Sequence, residues 1–225
     1  MSIVITIDGP SGSGKGTVSR EIAALLGFDM LDSGALYRLA ALAALNANVD
    51  MQDETRLALI ARDMDVHFST DSKQPKVWLD NNDVSTAIRE EKTGMLASKI
   101  AALPTLRAAL LARQRAFATA RGLVADGRDM GTLVFPDAAH KFFLTASAEE
   151  RARRRVAQLQ GAGVQQVDAQ QILADIVARD KRDTDRPIAP LVPAADATII
   201  DSTEMDVAAV VATILRQVQS EPEVL

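Results

Sequence analysis

Nine consecutive residues, Gly9-Pro10-Ser11-Gly12-Ser13-Gly14-Lys15-Gly16-Thr17, have the types and spacing to hold a polyphosphate. The glycines let successive backbone N–H groups converge on phosphate oxygens without Cβ clashes. Lys15 supplies a point charge for the outer phosphates, and the Thr17 hydroxyl is placed to ligate Mg²⁺. A plain Gly/Ser turn is the alternative reading, but such a turn has no use for Lys and Thr together. The simplest form of the motif has Ser or Thr directly after the Lys; here Gly16 intervenes.

Asp8-Gly9 ends the first apolar run, and further polar clusters follow later ones: Asp32-Ser33-Gly34, and Asp126-Gly127-Arg128-Asp129. Asp126 either holds a water on Mg²⁺ or caps the turn that follows it. A third cluster runs from Glu149 to Arg186 and carries Arg151, Arg153, Arg154, Arg155, Arg179, Arg182 and Arg186. For Arg153 a solvated helix face is the preferred reading. As a group, two helices joined by a turn at Gly161–Gln166 can swing guanidinium groups over a bound phosphate. His67 and His140 sit in strand-like stretches without a partner pattern and read as structural.

These clusters need a scaffold. Apolar runs at Ile3–Ile7, Phe28–Leu31, Leu123–Ala125, Lys141–Leu144 and Thr198–Ile200 read as strands buried on both faces. Helical patterns occupy Gly16–Leu26, Ala35–Asn46, Leu106–Arg121, Ala148–Gln160 and Val207–Val218. The alternation predicts an α/β fold with a doubly wound, parallel, five-stranded sheet and the phosphate loop after its first strand. Ligands bind such sheets beyond the C-terminal strand ends, where the polar clusters fall. Between Val66 and Val84, turn signals at Asp71–Pro75 and Asn81-Asn82 flank Val77-Trp78-Leu79. They predict a small antiparallel hairpin or three-stranded sheet outside the parallel core.

Composition narrows the class. The 225 residues are 48% hydrophobic and 24% charged, with a net charge of −5, which disfavours a nucleic-acid polymer as partner. Arginine outnumbers lysine 18 to 7, a bias suited to planar recognition of phosphate and carboxylate. Cysteine is absent, so disulfides and thiolate metal sites are excluded. No basic leader precedes the first strand and no apolar run approaches membrane length, which points to a cytoplasmic protein without a membrane partner. Nothing demands a protein partner, so a monomer is expected. No Asn-Lys-x-Asp motif of a GTP switch is present. A kinase acting on a hydroxyl acceptor and a non-catalytic nucleotide-binding regulator both remain open on the residues alone.

Four segments carry a resemblance to the bacterial cytidylate kinases, within the nucleoside monophosphate kinase family. They are Ile7 to Thr17, Leu31-Asp32-Ser33-Gly34-Ala35-Leu36-Tyr37-Arg38, Ala125-Asp126-Gly127-Arg128-Asp129-Met130-Gly131-Thr132, and Arg179-Asp180-Lys181-Arg182-Asp183-Thr184-Asp185-Arg186. The loop is shared by many nucleotide kinases; the second and third segments are more specific. The resemblance implies transfer of the γ-phosphoryl of ATP to CMP or dCMP, with Mg²⁺. It implies that Ser33, Arg38, Arg128 and Arg186 surround the acceptor phosphate and the transferring group, with Lys15, Arg128, Arg179 and Arg186 as the catalytic set, and that Tyr37 packs on or hydrogen-bonds the acceptor. Ser98, Arg107 and Asp129 would read the cytosine edge, Asp183 would lie near the sugar hydroxyls, and Arg179 would close on the phosphates. Cytosine presents a carbonyl and an exocyclic amine, which suits a cationic donor such as Arg107 and an anionic acceptor such as Asp129. The implied division is a core of residues 1–34, 104–148 and 194–225, an acceptor-binding insert of a small antiparallel sheet plus helices at 35–103, with Ser98 in a helix-like stretch, and an Arg-rich mobile lid at 149–193. One departure stands out: Thr184-Asp185 puts an acid where the family pattern is often basic or amide.

Overall fold

The computed structural model describes residues 3–68 and 76–220. In chain order the elements begin β1 (Val4–Asp8), α1 (Lys15–Leu26), β2 (Asp29–Asp32), α2 (Ser33–Asn46) and α3 (Glu54–Asp63). A small-sheet region follows with β3 (Val66–Phe68), β4 (Val77–Leu79) and β5 (Asn82–Asp83), then α4 (Glu91–Ile100) and α5 (Pro104–Arg115). The chain continues through β6 (Leu123–Gly127), β7 (His140–Thr145), α6 (Ala148–Gly161), α7 (Ala169–Asp185), β8 (Thr198–Asp201) and α8 (Val207–Ser220). They divide into two units: residues up to Leu31 together with those from Ala118 onward, and Asp32–Phe117.

In the first unit the sheet order is β2-β6-β1-β7-β8. β1 pairs in parallel with β6, Val4 opposite Leu123 through Asp8 opposite Gly127, and with β7, Ile5 opposite His140. β7 in turn pairs in parallel with β8. Ile5, Ile7, Val124, Phe142 and Leu144 point into a core closed by Val18 and Ile22 of α1 and Val210 and Ile214 of α8. The α/β class and five parallel strands match the sequence expectation. β1 and β6 run on into Asp8 and Gly127, past the apolar residues that signal them, because both polar ends are still buried.

The second unit holds the antiparallel sheet β3-β4-β5, with His67 opposite Trp78 and Trp78 opposite Asp83. Its tight turn is centred on Asp80 and Asn81, both left-handed at φ +48 and +65, the two-residue hairpin geometry that favours Asn and Asp. That is one residue earlier than the expected Asn81-Asn82. The expected Asp71–Pro75 turn lies outside the described residues. α2 starts at Ser33 rather than Ala35, because the Asp32 carboxylate caps it by accepting from Ala35 N at 2.9 Å. The expected Leu106–Arg121 helix is instead α5, begun by Pro104 and finished at Arg115. α3 and α4 are helices of the insert, which is expected to hold helices without stated bounds; Ser98, expected in a helix-like stretch, lies in α4. Among the described residues, no single helix is long and apolar enough to cross a membrane.

Candidate active site

The glycine turn follows directly from the end of β1. Gly9 has φ +147, and a Cβ there would collide with the Leu144 carbonyl of β7, so only glycine lets the chain leave the sheet here. Gly14 then caps α1 in a left-handed conformation, its carbonyl accepting from Thr17 N and Val18 N at 3.1 Å each. Lys15 is buried and donates to the Pro10 carbonyl at 2.7 Å, bracing the loop across its own width. Burial pushes its ammonium down to about 7; Arg128 and Arg179 push the same way, against Asp126 and Asp8. Thr17 is exposed at the start of α1.

Gly16, the departure from the simplest motif, has a local reason. A Cβ at this position would lie 3.3 Å from Asp126 Oδ2, so a larger residue would press on the carboxylate that ends the apolar part of β6. Asp126 thereby sits beside the first turn of α1, close enough to raise the pKa of Lys15. Asp8, at the tip of β1, accepts from Met130 N and Gly131 N at 2.8 Å each. Burial pushes this carboxyl up to about 6, partly offset by those two hydrogen bonds. The bonded segment, Met130–Val134, is a π-helical turn headed by Asp129, which is itself buried.

Arg128 donates from Nε to Asp183 at 3.1 Å and from a terminal nitrogen to its neighbour's carbonyl, Gly127 O, at 3.2 Å. Burial alone would raise the Asp183 carboxyl, but Arg128, Arg179 and Arg186 together outweigh it and hold it below the usual range. Arg186 is aimed by its own turn, donating from Nε to the Ala189 carbonyl at 2.8 Å. Ala189 is held left-handed at φ +49, a local strain at this turn. Lys15, Thr17, Asp126, Arg128, Asp129, Arg179, Asp183 and Arg186 therefore all belong to the first unit.

The second unit gathers Ser33, Tyr37, Arg38, Ser98 and Arg107. α2 and α5 face each other through two paired positions: Gln114 Nε2 donates to Ser33 Oγ at 2.8 Å, and the Arg107 guanidinium lies over the Tyr37 ring at 5.7 Å. Ser33 thus sits in the first turn of α2 with a side-chain partner, while the capping role falls to Asp32. Arg38 donates to the Ile88 carbonyl at 2.8 Å and lies against Gly94 of α4. Ser98, one turn along from Gly94, is buried on the same helix. Arg107 and Asp129 lie in different units.

The Arg-rich segment sorts itself by partner. Arg153 is exposed and pairs with Glu150 at 2.7 Å, a solvated helix face as expected. Arg154 reaches the Ser202 carbonyl at 2.6 Å and the Ser13 carbonyl at 3.4 Å. Beside it an open pocket of about 930 Å³ is lined by Gly14, Thr17, Arg154, Arg155, Met205 and Val207. The Ser202–Val207 wall of this pocket and Gln114 are not among the residues expected from the sequence, while Asp8 and Asp180 stand inside expected motifs without a role of their own. For Gln114 the one available signal is its place seven residues after Arg107, on the same helix face.

A family model described as cytidylate kinase matches residues 5–220, and so spans both units. This chain belongs to the cytidylate kinase family. A cytidylate kinase of Saccharophagus degradans is 58% identical over 207 residues, covering 92% of each chain. One from Pectobacterium carotovorum is 55% identical over 215 residues, covering 96% of this chain and 95% of that one. A solved structure of an uncharacterized protein from Eubacterium ventriosum is alike in fold, with a TM-score of 0.50 at 14% identity, covering 97% of this chain and 99% of that one.

Proposed function

We propose that this member of the cytidylate kinase family transfers the γ-phosphoryl group of ATP to CMP and dCMP, giving ADP with CDP or dCDP. The observation that carries the reading is that the family match runs unbroken through the glycine loop and through the residues of the second unit. Donor and acceptor contacts then belong to one enzyme.

The chemistry asks for positioning and charge stabilisation rather than for a base. The acceptor is a phosphate oxygen already anionic at neutral pH, so no side chain need remove a proton. Two polyanions must be held in line against mutual repulsion, which Lys15 and a set of arginines are suited to do. Ser33, Arg38, Arg128 and Arg186 are assigned to the acceptor phosphate and the transferring group, and Arg179 to closing on the phosphates. Tyr37 is assigned to the acceptor nucleoside, Ser98, Arg107 and Asp129 to cytosine, and Asp183 to the sugar hydroxyls. Backbone groups of Gly9, Pro10, Ser11, Gly12, Ser13, Gly14 and Gly16 cradle the ATP phosphates. Mg²⁺ would be held mostly through the nucleotide phosphates and water, with the Thr17 hydroxyl at the start of α1 as its protein oxygen donor and the Asp126 carboxylate, beside Gly16, as a second candidate. Bound there, the ion supplies neutralisation of phosphate charge. The reading extends to a core of 1–34, 104–148 and 194–225, an acceptor insert at 35–103 and a lid at 149–193. It extends also to a monomeric cytoplasmic enzyme acting on small molecules alone; the net charge of −5 is consistent with no nucleic-acid polymer as partner.

A coupled assay of ADP release with CMP, dCMP, UMP, AMP and no acceptor tests this. Strong turnover of CMP and dCMP, weak turnover of UMP and near-zero background are expected. AMP as the best acceptor would overturn the assignment of Arg107 and Asp129.

A further inference from the structure

Arg151 opens the lid segment, yet its side chain turns away from solvent and is 4% exposed. Its guanidinium makes four hydrogen bonds. Nε donates to the Ala146 carbonyl at 2.9 Å, where β7 gives way to α6. One terminal nitrogen donates to the Ser11 carbonyl of the glycine loop at 3.1 Å and to Asp180 Oδ1 at 3.1 Å. The other donates to Asp180 Oδ2 at 2.6 Å. One side chain thus binds the sheet edge, the phosphate loop and α7 at once, through the planar fork that lysine lacks.

Asp180 lies beside Arg179 and one turn before Asp183, whose carboxylate pairs with Arg128. α7 is therefore tied down at two successive turns of one face. The Asp183–Arg128 tie uses groups assigned to the substrates. The Asp180–Arg151 tie uses groups assigned to none. Arg151 is buried and Asp180 is 24% exposed; an ion pair drawn this far out of water returns little net stability over a well-packed apolar pair, so one with every bond engaged calls for a reason of geometry.

We propose that the Arg151–Asp180 pair is a positioning strut: it sets the register of α7 against the phosphate loop, and so places Arg179, Asp183 and Arg186 for the acceptor once ATP fills the loop. The inference rests on the roles given to those three residues above. Neither Arg151 nor Asp180 touches substrate in this account; both act through their neighbours.

The test is Asp180→Asn, which keeps the shape, removes the charge and leaves the Ser11 and Ala146 bonds of Arg151 in place. Because a displacement of about 1 Å can cost roughly a hundredfold in rate, we expect kcat to fall about tenfold and KM for CMP to rise about tenfold. ATP affinity, measured by equilibrium dialysis, should stay within about twofold, and Asp180→Glu should restore at least half of the lost kcat/KM on a logarithmic scale. A lower melting temperature with kinetics within about twofold of the parent would overturn the proposal, as would a loss of ATP affinity in step with KM for CMP. If Asp180→Asn does not fold, Asp180→Ala decides alone: a rise of at least about threefold in KM for CMP without one for ATP supports the strut, and its absence overturns it. Failure of the underlying reading looks different, since the unaltered protein would then release no CMP-dependent ADP.

Discussion

Replacing Lys15 with Met should abolish turnover and yet raise the stability of the nucleotide-free protein. Lys15 is buried, and its pKa falls from 10.5 to about 7 with burial as the main cause. At about 1.4 kcal/mol per pKa unit, the folded state disfavours the ammonium by up to about 5 kcal/mol. Against this stands the charge-assisted hydrogen bond to Pro10, about 1.5–3 kcal/mol, which Met cannot make. The balance favours Lys15→Met by about 2–3 kcal/mol, or roughly 5–10 °C in melting temperature for a chain of this size. The sign with pH follows from the lowered pKa. Below about pH 7 the folded and unfolded states both carry the proton and the penalty is full. As pH rises from 7 towards 10.5 the folded protein sheds that proton first, so the parent gains on the variant by up to about 1.4 kcal/mol per pH unit. Thermal unfolding followed by circular dichroism at pH 6, 7, 8 and 9 reads both effects. A variant less stable than the parent at pH 7, or a gap that stays constant to pH 9, would refute the reasoning.

Three other substitutions follow from contacts at the same site. Gly9→Ala drives a methyl group into the Leu144 carbonyl in a conformation L-residues avoid; a loss of about 3 kcal/mol or more is expected in urea unfolding. Gly16→Ala presses on Asp126 Oδ2 from 3.3 Å; the Mg²⁺ concentration for half-maximal rate should rise about tenfold while nucleotide-free stability changes by less than about 1 kcal/mol. Asp129→Ala removes the anionic partner assigned to the cytosine amine; the CMP-to-UMP ratio of kcat/KM should fall about ten- to a hundredfold with ATP affinity unchanged. Competition kinetics with both acceptors in one vessel reads that ratio directly.

The phosphate loop was legible because its function constrains consecutive residues, and the five strands because burial on both faces leaves unbroken apolar runs. The bounds of helices α3 and α4 were not, for a physical reason. α3 has only Leu57 and Ala61 buried, and α4 carries Gly94 and no side-chain cap, so neither shows a sustained apolar stripe. Within the candidate site, the residues missed are those whose meaning lies in a distant partner. Asp8 reads as the end of a strand until Met130, 122 positions away, is brought against it. Gln114 meets Ser33 across 81 positions. Arg151 was visible only as one of a charged group, whereas its targets are a loop carbonyl and Asp180, 29 residues further on. Spacing reveals chemistry done by neighbours in sequence, and it is silent about struts.

The proposed reaction is direct phosphoryl transfer from ATP to a phosphate acceptor with no proton-abstracting side chain. Phosphorus NMR of the protein with ATP, CMP and Mg²⁺ tests it most directly. Resonances of ADP and CDP growing together in equal amounts, with no inorganic phosphate, are the predicted result. Inorganic phosphate appearing in proportion to ADP, with CMP unconsumed, would contradict it.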